Sequence, residues 1–252
     1  MFRARVIPTL LLDDGGLVKT KNFRNPKYVG DPINAVKIFN EKEVDEIVFL
    51  DISKKRIKNG PNYKLLEDIA SEAFMPFAYG GGISKIEQIK TIFKIGVEKI
   101  ILNTSIIDNP ELISQAVNLA GSSSIVVSVD LKRSWRGNIR VYKDSGNIKT
   151  NLNYKRHIQN IENLGAGELI INSIHCDGLM NGYDLDLIKS VSSIVSIPII
   201  AVGGAGNLLN LREALDSGAS AVGAGSIFVF HGVHKAVLIN YPNEEELKEI
   251  II

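Results

Sequence analysis

Two similar apolar segments differ at one position where acid–base chemistry is possible. The segment "RVIPTLLLDDGGLVKT", residues 5 to 20, has Leu11 where "SIVVSVDLKR", residues 124 to 133, has Asp130. A carboxylate at the end of a buried strand can serve as a general acid or base, whereas a leucine cannot transfer a proton. Asp130 is therefore a candidate catalytic residue. Helix capping or pairing with the nearby Lys132 is the alternative.

Three other aspartates near the ends of apolar runs are candidates for contacts with a ligand. Asp13 lies two residues beyond Leu11 with the same strand parity, so it could replace the missing carboxylate from a position displaced by about 6 to 7 Å. Asp51 and Asp177 could orient ligand hydroxyls, or they could cap the loops in which they lie.

His175 and Cys176 are adjacent and invite interpretation as a metal site or a nucleophile. A zinc site needs several ligands at characteristic spacings, and the sequence has no second His/Cys cluster of that kind. We therefore predict no metal and no other cofactor.

Four glycine-rich or small polar turns follow apolar runs, namely "YGGG", "LNTS", "AVGGAG" and "GAGS". Glycines let backbone N–H groups approach an anion, and the start of a following helix adds a favourable dipole. The pattern predicts two phosphate sites for an elongated ligand phosphorylated at both ends, although each turn could instead be only a tight strand-to-helix connection. The candidate residues for phosphate or substrate binding are Lys19, Asp51, Gly81, Gly82, Asn103, Thr104, Asp177, Gly178, Gly203, Gly204, Gly225 and Ser226.

The elements that must position these residues alternate strictly along the chain. Segments of helical period separate eight short apolar runs, and several of them begin with an Asn or Asp cap. Runs that are apolar on both faces belong to a parallel sheet covered by helices, so the 252 residues predict an α/β fold, a single (β/α)8 TIM barrel domain over residues 1–252. A doubly wound open sheet is the alternative. The polar segment 132–151 is interpreted as a hairpin after the fifth strand. The predicted strands are "RVIPTLLL", "DEIVFLDI", "MPFAYG", "KIILN", "SIVVSVD", "ELIINS", "IPIIAVG" and "ASAVGAG".

An internal repeat divides this barrel into two similar halves. Residues 78–105 and 201–226 share a glycine-rich turn, a helix, a Gly before the next strand and a small polar ending, at an offset of about 122 residues. The same offset aligns Glu46 with Glu168, and a nearly equal one aligns the first strand with the fifth. One half therefore keeps a carboxylate at the barrel mouth that the other half lacks.

Four charged residues, Arg5, Glu46, Lys99 and Glu168, lie near the amino-terminal ends of predicted strands. Because these ends meet at one face of a barrel, the alternating charges could form a ring that closes its bottom. Solvated charges at strand starts are the alternative, since charge pairs at such positions are common and contribute little to stability.

Composition limits the classes of function. The 29 basic and 28 acidic residues give a net charge of +1, so no global field favours nucleic acid or an anionic membrane. The apolar run near the amino terminus is too short for a signal peptide, and no stretch approaches the roughly 18 apolar residues of a membrane span. The single cysteine cannot form an internal disulfide. We predict a cytoplasmic protein.

Over essentially its whole length the sequence resembles the cyclase subunit of imidazole glycerol phosphate synthase. The matching stretches include "RVIP", "DGGLVK", "GDP", "DEIVFLDI", "GGGI", "VDLKR", "GAGEL", "SIHCDGLMNGYD" and "PIIAVGGAG". The resemblance implies a heterodimer in which a glutaminase docks on the amino-terminal face and ammonia passes through the barrel. It also implies that this ammonia attacks a doubly phosphorylated ribulosyl intermediate, giving imidazole glycerol phosphate and an aminoimidazole ribotide.

The same resemblance assigns roles to particular positions. The family's two catalytic aspartates correspond to positions 11 and 130, and only Asp130 is present. The strand 1 motif normally reads Cys-Leu-Asp-Val-x-Asp-Gly, whereas this chain has "TLLLDDG". Loss of one member of an acid–base pair typically lowers the catalytic rate by a factor of about 10² to 10⁴. The charged residues at the predicted barrel bottom fall where the family has its ammonia gate.

The stretches "LLLDDGGLVKT" and "NPKYVGDPINAVKIFNEKEVDE" look closer to a cyclase-like paralogue found with surface-polysaccharide genes. That resemblance implies work with a glutaminase and a sugar amidotransferase that converts an acetamido group into an acetamidino group. An authentic cyclase of histidine biosynthesis that works with Asp130, with or without Asp13, is the rival hypothesis. A phosphosugar isomerase is weaker, because the sister isomerase also uses a strand 1 aspartate.

Overall fold

Eight parallel strands close into a barrel. The computed structural model describes residues 4–251, except for the side chains of Ile57 and Ile251. The strands, numbered along the chain, are β1 (Arg5–Asp13), β2 (Gly16–Lys21), β3 (Arg24–Gly30), β4 (Ile47–Asp51), β5 (Phe77–Gly80), β6 (Lys99–Leu102), β7 (Ile125–Arg133), β8 (Ile139–Lys143), β9 (Ile148–Lys149), β10 (Glu168–Ser173), β11 (Ile199–Val202), β12 (Ala221–Ala224), β13 (Phe230–His231) and β14 (Ala236–Val237).

The barrel order is β1, β4, β5, β6, β7, β10, β11 and β12, and the barrel closes because β12 pairs in parallel with β1. Each barrel strand lies within one of the eight predicted runs or overlaps it. The closure confirms the predicted (β/α)8 barrel and excludes the open doubly wound sheet.

Helices cover the outside of the barrel. Asp31 caps the first of them by accepting a hydrogen bond from the Asn34 backbone N–H at 2.9 Å, and Pro32 takes the first helical position, where its missing N–H costs nothing. Among the described residues, no helix combines the length and the apolar composition needed to cross a membrane. The helices are α1 (Pro32–Glu41), α2 (Lys54–Asn59), α3 (Tyr63–Glu72), α4 (Ile86–Ile95), α5 (Thr104–Asp108), α6 (Glu111–Ala120), α7 (Tyr154–Asn163), α8 (Leu185–Ser192), α9 (Leu208–Asp216), α10 (Ser226–Val229) and α11 (Glu244–Ile251), with a 3-10 turn at Ser122–Ser124.

Side chains alternate between two cores along each barrel strand, because successive residues of a strand point to opposite faces. One core lies between the barrel and the helices and includes Phe49 and Leu169. The other fills the barrel interior with mostly apolar side chains, among which the buried, inward-facing Thr9 and Ser128 place two hydroxyl groups. The inward-facing side chains thus include charged residues at the amino-terminal ends of the strands and Asp130 at the mouth. The interior core contains Ile7, Val48, Ala78, Ile101, Val126, Ile170, Ile200, Val202 and Ala221.

Two antiparallel hairpins extend strands at the mouth. The predicted hairpin in segment 132–151 is confirmed, because β8 pairs with β7 and β9 pairs with β8. A second hairpin, formed by β2 and β3 after β1, was not predicted. The two hairpins follow strands 1 and 5 of the barrel, so they occupy equivalent places in its two halves.

Candidate active site at the barrel mouth

Asp130 lies inside the barrel mouth, with only 4% of its surface exposed. Its carboxylate Oδ2 accepts a hydrogen bond from Asn103 Nδ2 at 2.9 Å. Burial raises the pKa of Asp130 to about 7, although the Asn103 hydrogen bond acts in the opposite direction, and the negative charge of Asp177 raises it further. A carboxyl group with this pKa can either hold or release a proton near neutral pH, as general acid–base catalysis requires.

Leu11 occupies the other side of the mouth. It pairs with Leu50 of β4 and with Val18 of β2, and it has the same inward parity as Ile7. This side of the mouth is therefore apolar at the position where the resemblance implies a second carboxylate. Asp13, the last residue of β1, is half-buried beside Gly16, and its capacity to substitute stays a prediction.

The raised pKa of Asp130 makes stability depend on pH. An unfolded Asp has a pKa near 3.8, so between this value and about 7 the folded protein binds more protons and its stability falls as pH rises. We expect Asp130→Asn to raise the free energy of unfolding by roughly 1 to 3 kcal/mol more at pH 8 than at pH 5, because each pKa unit corresponds to about 1.4 kcal/mol. Urea unfolding at both pH values measures the difference.

Asp68→Asn provides the matched control, because Asp68 is an exposed carboxylate on α3 paired with Lys64. This variant should show no comparable gain at pH 8. Equal effects of Asp130→Asn at the two pH values would contradict the proposed titration of Asp130.

Lys19 supplies a buried cation to the second glycine-rich site. It comes from β2, its Nζ donates a hydrogen bond to the Thr9 carbonyl at 2.8 Å, and a Cβ on Gly225 would lie 2.0 Å from that Nζ. Burial lowers the pKa of Lys19 to about 8, while the Asp177 carboxylate counteracts part of this shift. The ammonium group thus lies against the turn of Gly225 and Ser226, where the sequence predicts a phosphate.

The glycines of both turns also meet a packing requirement. Gly81 and Gly82 have φ of 140° and 67°, and a Cβ on either would lie 2.6 Å from the backbone of Asp51 or Arg56. Gly203 and Gly204 have φ of 94° and 122°, and a Cβ on them would lie 2.9 Å from the Ser173 carbonyl oxygen and 2.1 Å from the Gly182 carbonyl oxygen. Tight connections alone would therefore require these glycines, and anion binding stays a prediction.

The predicted phosphate site of the first half, at Gly82, Asn103 and Thr104, differs from that of the second half in its polar contacts. The Thr104 hydroxyl accepts a hydrogen bond from the Asp144 backbone N–H at 2.9 Å, so it holds the tip of the β8–β9 hairpin. Asn103 is engaged with Asp130. Arg56 lies against Gly82, since its carbonyl oxygen would be 2.6 Å from a Cβ on this glycine, whereas a lysine ammonium group lies against Gly225. The two predicted phosphate sites are therefore chemically unequal.

Asp51 points away from the interior, since it shares the parity of Phe49. Its Oδ1 accepts hydrogen bonds from the Ser53 backbone N–H at 3.0 Å and from the Ser53 hydroxyl at 2.5 Å. Burial raises its pKa, partly offset by Ser53 and Arg56. These contacts favour the loop-capping alternative, and a role for Asp51 in substrate binding stays a prediction.

Asp177 and Gly178 fasten the first hairpin to the loop after β10. The Asp177 Oδ2 accepts a hydrogen bond from the Thr20 hydroxyl at 2.8 Å. Gly178 has a φ of 69°, and a Cβ there would lie 2.0 Å from the Thr20 carbonyl oxygen, so only glycine fits. Burial raises the pKa of Asp177, and the Thr20 hydrogen bond and the Lys19 charge oppose this. The Asp177 carboxylate thus lies close enough to Lys19 for each charge to stabilise the other.

Ser173, His175 and Asp184 are aligned like a hydrolytic triad, an arrangement that the sequence did not predict. His175 Nδ1 lies 3.2 Å from the Ser173 hydroxyl, and its Nε2 lies 3.2 Å from Asp184 Oδ2. The Asp184 hydrogen bond, with a smaller contribution from Cys176, raises the pKa of His175 to about 9. This shift favours the protonated imidazole, which cannot accept the serine proton, so the contacts support a charged network between loops more than an activated nucleophile.

The same cluster also ties two loops together. Arg133 donates bidentate hydrogen bonds to Asp184, with Nη2 2.6 Å from Oδ1 and Nε 3.1 Å from Oδ2. Asp184 in turn caps α8 through the Leu187 N–H. Within the described part of the chain, no group of three or more His, Cys, Asp or Glu side chains could hold a metal ion.

Asn172 is a further candidate that the sequence left outside the site. It pairs in register with Asp130, is only 6% exposed, and its Oδ1 has no hydrogen-bond partner among the described residues. The same Oδ1 lies 3.3 Å from the position of a Cβ on Gly203. An unpaired buried amide oxygen is costly, so a ligand donor at this point would relieve the cost. The alignment of β7 with β10 is the signal that would have found it.

The charged residues at the opposite face form a closed ring. Arg5 donates hydrogen bonds to both Glu46 and Glu168. The Lys99 Nζ lies 3.3 Å from Glu46 Oε1 and 3.0 Å from Glu168 Oε2. Both glutamates are buried, and burial alone would lower the pKa of Arg5, but the two carboxylates raise it. The predicted convergence is confirmed, whereas its role as a gate stays a prediction. We call these four residues the basal ring.

Comparison with known proteins identifies the family of this chain. Residues 5–235 match the protein family described as "Histidine biosynthesis protein". A Leptospira interrogans protein provisionally named imidazole glycerol phosphate synthase subunit HisF is 46% identical over 98% of each chain, as is a Pseudomonas aeruginosa protein provisionally named subunit hisF2, over 98% of this chain and 99% of its own. Petrotoga mobilis imidazole glycerol phosphate synthase subunit HisF is 38% identical over 94% of each chain. With a closed barrel, an inward Asp130 and this likeness along nearly its whole length, the chain belongs to the histidine biosynthesis protein family.

Proposed function

We propose that this chain is a HisF-type ammonia-handling subunit of a glutamine amidotransferase complex and that it has little cyclase activity of its own. The observation that carries the proposal is the combination of a complete basal ring with a mouth that has only one of the two carboxylates. A protein that retains ammonia passage but has lost cyclisation needs the ring and does not need the second carboxylate.

The barrel interior is suited to ammonia and unsuited to ammonium. Its middle layers, from Ile7 and Ala221 to Ile101 and Val202, are mostly apolar and uncharged, with the hydroxyls of Thr9 and Ser128 as their polar groups. A buried unpaired cation is strongly disfavoured in such surroundings, whereas small neutral ammonia is not. The basal ring covers the entrance to this core, so ammonia would enter only when its ion pairs separate.

The amino-terminal face of the barrel also carries a feature expected of a docking surface for a glutaminase partner. Phe74, in the loop before β5, is 88% exposed. Asn40 holds this loop by accepting a hydrogen bond from the Phe74 N–H at 3.0 Å and by donating one to the Glu72 carbonyl at 2.7 Å. A rigidly presented aromatic side chain has the properties of an interface anchor. We infer a heterodimer with the glutaminase on this face.

At the mouth we propose a phosphorylated small-molecule ligand. Lys19 beside Gly225 and Ser226 provides a buried ammonium group and nearby backbone N–H groups, which together suit one phosphate. A second phosphate at Gly82 and Thr104 remains part of the proposal. The emerging ammonia would reach a sugar amidotransferase, which converts an acetamido group into an acetamidino group in surface polysaccharide synthesis.

One observation favours the alternative, an authentic cyclase of histidine biosynthesis. Asp130 retains a pKa of about 7 and its hydrogen bond to Asn103, both useful to an active general acid or base. Under this alternative Asp13 or a bound water replaces the carboxylate missing at Leu11.

A cyclase assay with the doubly phosphorylated ribulosyl substrate and ammonium salt separates the two candidates, because it needs no partner. We expect turnover lower by about 10² to 10⁴ than that of a cyclase with both carboxylates, the usual cost of losing one general acid or base. Turnover near that of an intact cyclase would exclude the proposal. In that event Asp13→Asn would report whether Asp13 is the substitute.

A further inference from the structure

A groove on the β7–β8–β9 hairpin lies outside the site described above. Its volume is about 430 Å³, within the usual range for small-molecule sites. It is lined by basic and aromatic side chains, including Lys132, Trp135, Arg136, Arg140, Tyr142 and Lys149. We call it the hairpin groove.

The hairpin groove is strongly cationic in a chain of nearly neutral net charge. Arg133 also lines it but is paired with Asp184. Among the described residues, no salt bridge reaches Lys132, Arg136, Arg140 or Lys149, and no lining residue is acidic. The concentration of charge is therefore local, and it provides the electrostatic complement of a compact anion.

Strand register places these charges together in a way that folding does not explain. Lys132 lies directly opposite Arg140, and Tyr142 lies opposite Lys149. Like charges directly opposite each other destabilise an antiparallel pair. A bound anion would remove this repulsion, which is a physical reason for such an arrangement to persist on a hairpin.

Trp135 gives the groove a stacking surface. Its side chain is 88% exposed, and the Arg136 guanidinium lies 4.6 Å from the ring centroid. Close by, the Lys132 Nζ lies 5.8 Å from the ring of Tyr142. Aromatic rings beside cations are the features on which proteins stack nucleobases while holding the attached phosphates.

We propose that the hairpin groove binds a nucleoside diphosphate, with the base on Trp135 and the diphosphate between Lys132, Arg140 and Lys149. Lys132 follows Asp130 by two residues on the same face of β7, so the two side chains are about 6 to 7 Å apart along the strand. A group attached to the distal phosphate would therefore reach the barrel mouth. The claim that the groove binds a nucleoside diphosphate does not depend on the proposed function. The further claim that the ammonia acceptor is a nucleotide-linked molecule does rest on it.

The chain contains a single tryptophan, Trp135, so fluorescence excited where the seven tyrosines do not absorb reports the hairpin groove. The full chain is titrated with uridine diphosphate at low ionic strength, with uridine and inorganic pyrophosphate as separate probes. We expect saturable quenching by uridine diphosphate, with affinity at least roughly 10-fold higher than for either fragment, since one charge-assisted contact or one stacked base contributes about that factor.

Arg140→Gln should weaken uridine diphosphate binding by roughly 10-fold or more. Arg212→Gln, the same change at a partly exposed arginine of α9 outside the groove, should leave the affinity unchanged. Three results would overturn the proposal: no quenching at millimolar uridine diphosphate, pyrophosphate binding as tightly as the nucleotide, or a single-stranded oligonucleotide binding much more tightly. The measurement needs neither a partner nor turnover, so failure of the cyclase or ammonia proposals would not affect it.

Discussion

Leu11→Asp is expected to raise ammonium-dependent cyclisation by at least about 10²-fold, because it restores the second carboxylate of an acid–base pair whose first member is already in place. Leu11 has the inward parity of the barrel core and lies beside Leu50 and Val18 at the mouth. Asp130 already has a pKa near neutrality. Steady-state turnover with the bisphosphate substrate and ammonium salt measures the gain.

Leu50→Asp is the matched control for this gain, since Leu50 is the neighbour of Leu11 in the adjacent strand. It introduces the same charge at the same depth but one strand away, so it should give no comparable increase. Combining Leu11→Asp with Asp130→Asn should abolish the gain. If Leu11→Asp remained folded and inactive, the loss of cyclisation would have to lie elsewhere at the mouth.

Lys99→Met is expected to uncouple glutamine hydrolysis from nitrogen transfer in the complete complex. Lys99 bridges Glu46 and Glu168, so its removal opens one side of the basal ring to water. We expect the ratio of glutamate formed to nitrogen incorporated to rise severalfold, while use of free ammonium is unchanged. Because Arg5 still contacts both carboxylates, the loss in free energy of unfolding should be about 1 kcal/mol, well below the usual cost of breaking a buried pair.

Two further variants separate gating from other effects. Lys99→Arg keeps the charge and should retain most of the coupling. Phe74→Ala should weaken association with the glutaminase without changing the ratio in the assembled complex, because Phe74 lies outside the ring. A Lys99→Met protein with lower stability and unchanged coupling would show that the basal ring is only structural.

Periodicity was sufficient to predict the barrel and to place the four charges of the basal ring at one face, but it left solvated strand-end charges as the alternative to a ring. Side chains alternate between the inside and the outside of the barrel along each strand, so the sequence determines the face on which each residue lies. Glu46 and Glu168 occupy equivalent places in the two halves and therefore lie at the same end of the barrel. The hairpin in segment 132–151 was also predictable, because β8 has alternating apolar residues such as Ile139 and Val141 between polar turns.

Other features depend on contacts that no local pattern records. Strand β3 contains Pro26, is mostly exposed and pairs with β2 through irregular register, so its sequence is typical of a loop. Lys19 reaches Gly225, and Arg133 reaches Asp184, only because separate loops converge at the mouth. The sequence offers Lys19 as a candidate for phosphate or substrate binding, which stays a prediction, and it could not indicate that the side chain lies against Gly225.

Three residues of the basal ring belong to the first half of the barrel and one to the second. This unequal division affects whether the first half pairs with the second half of its own chain or with a half from another chain. Arg5 and Glu168 are 163 residues apart, so their contact can form only after most of the barrel strands have been synthesised. Until then the first half exposes unpaired strand edges, and a similar half from another chain could occupy the empty place. Two first halves together would bring two copies each of Arg5, Glu46 and Lys99 to the bottom, which is four cations against two carboxylates. Only the native second half, which contributes Glu168, neutralises the ring. The charges of the basal ring therefore disfavour pairing of two first halves from different chains, which the repeated fold would otherwise permit.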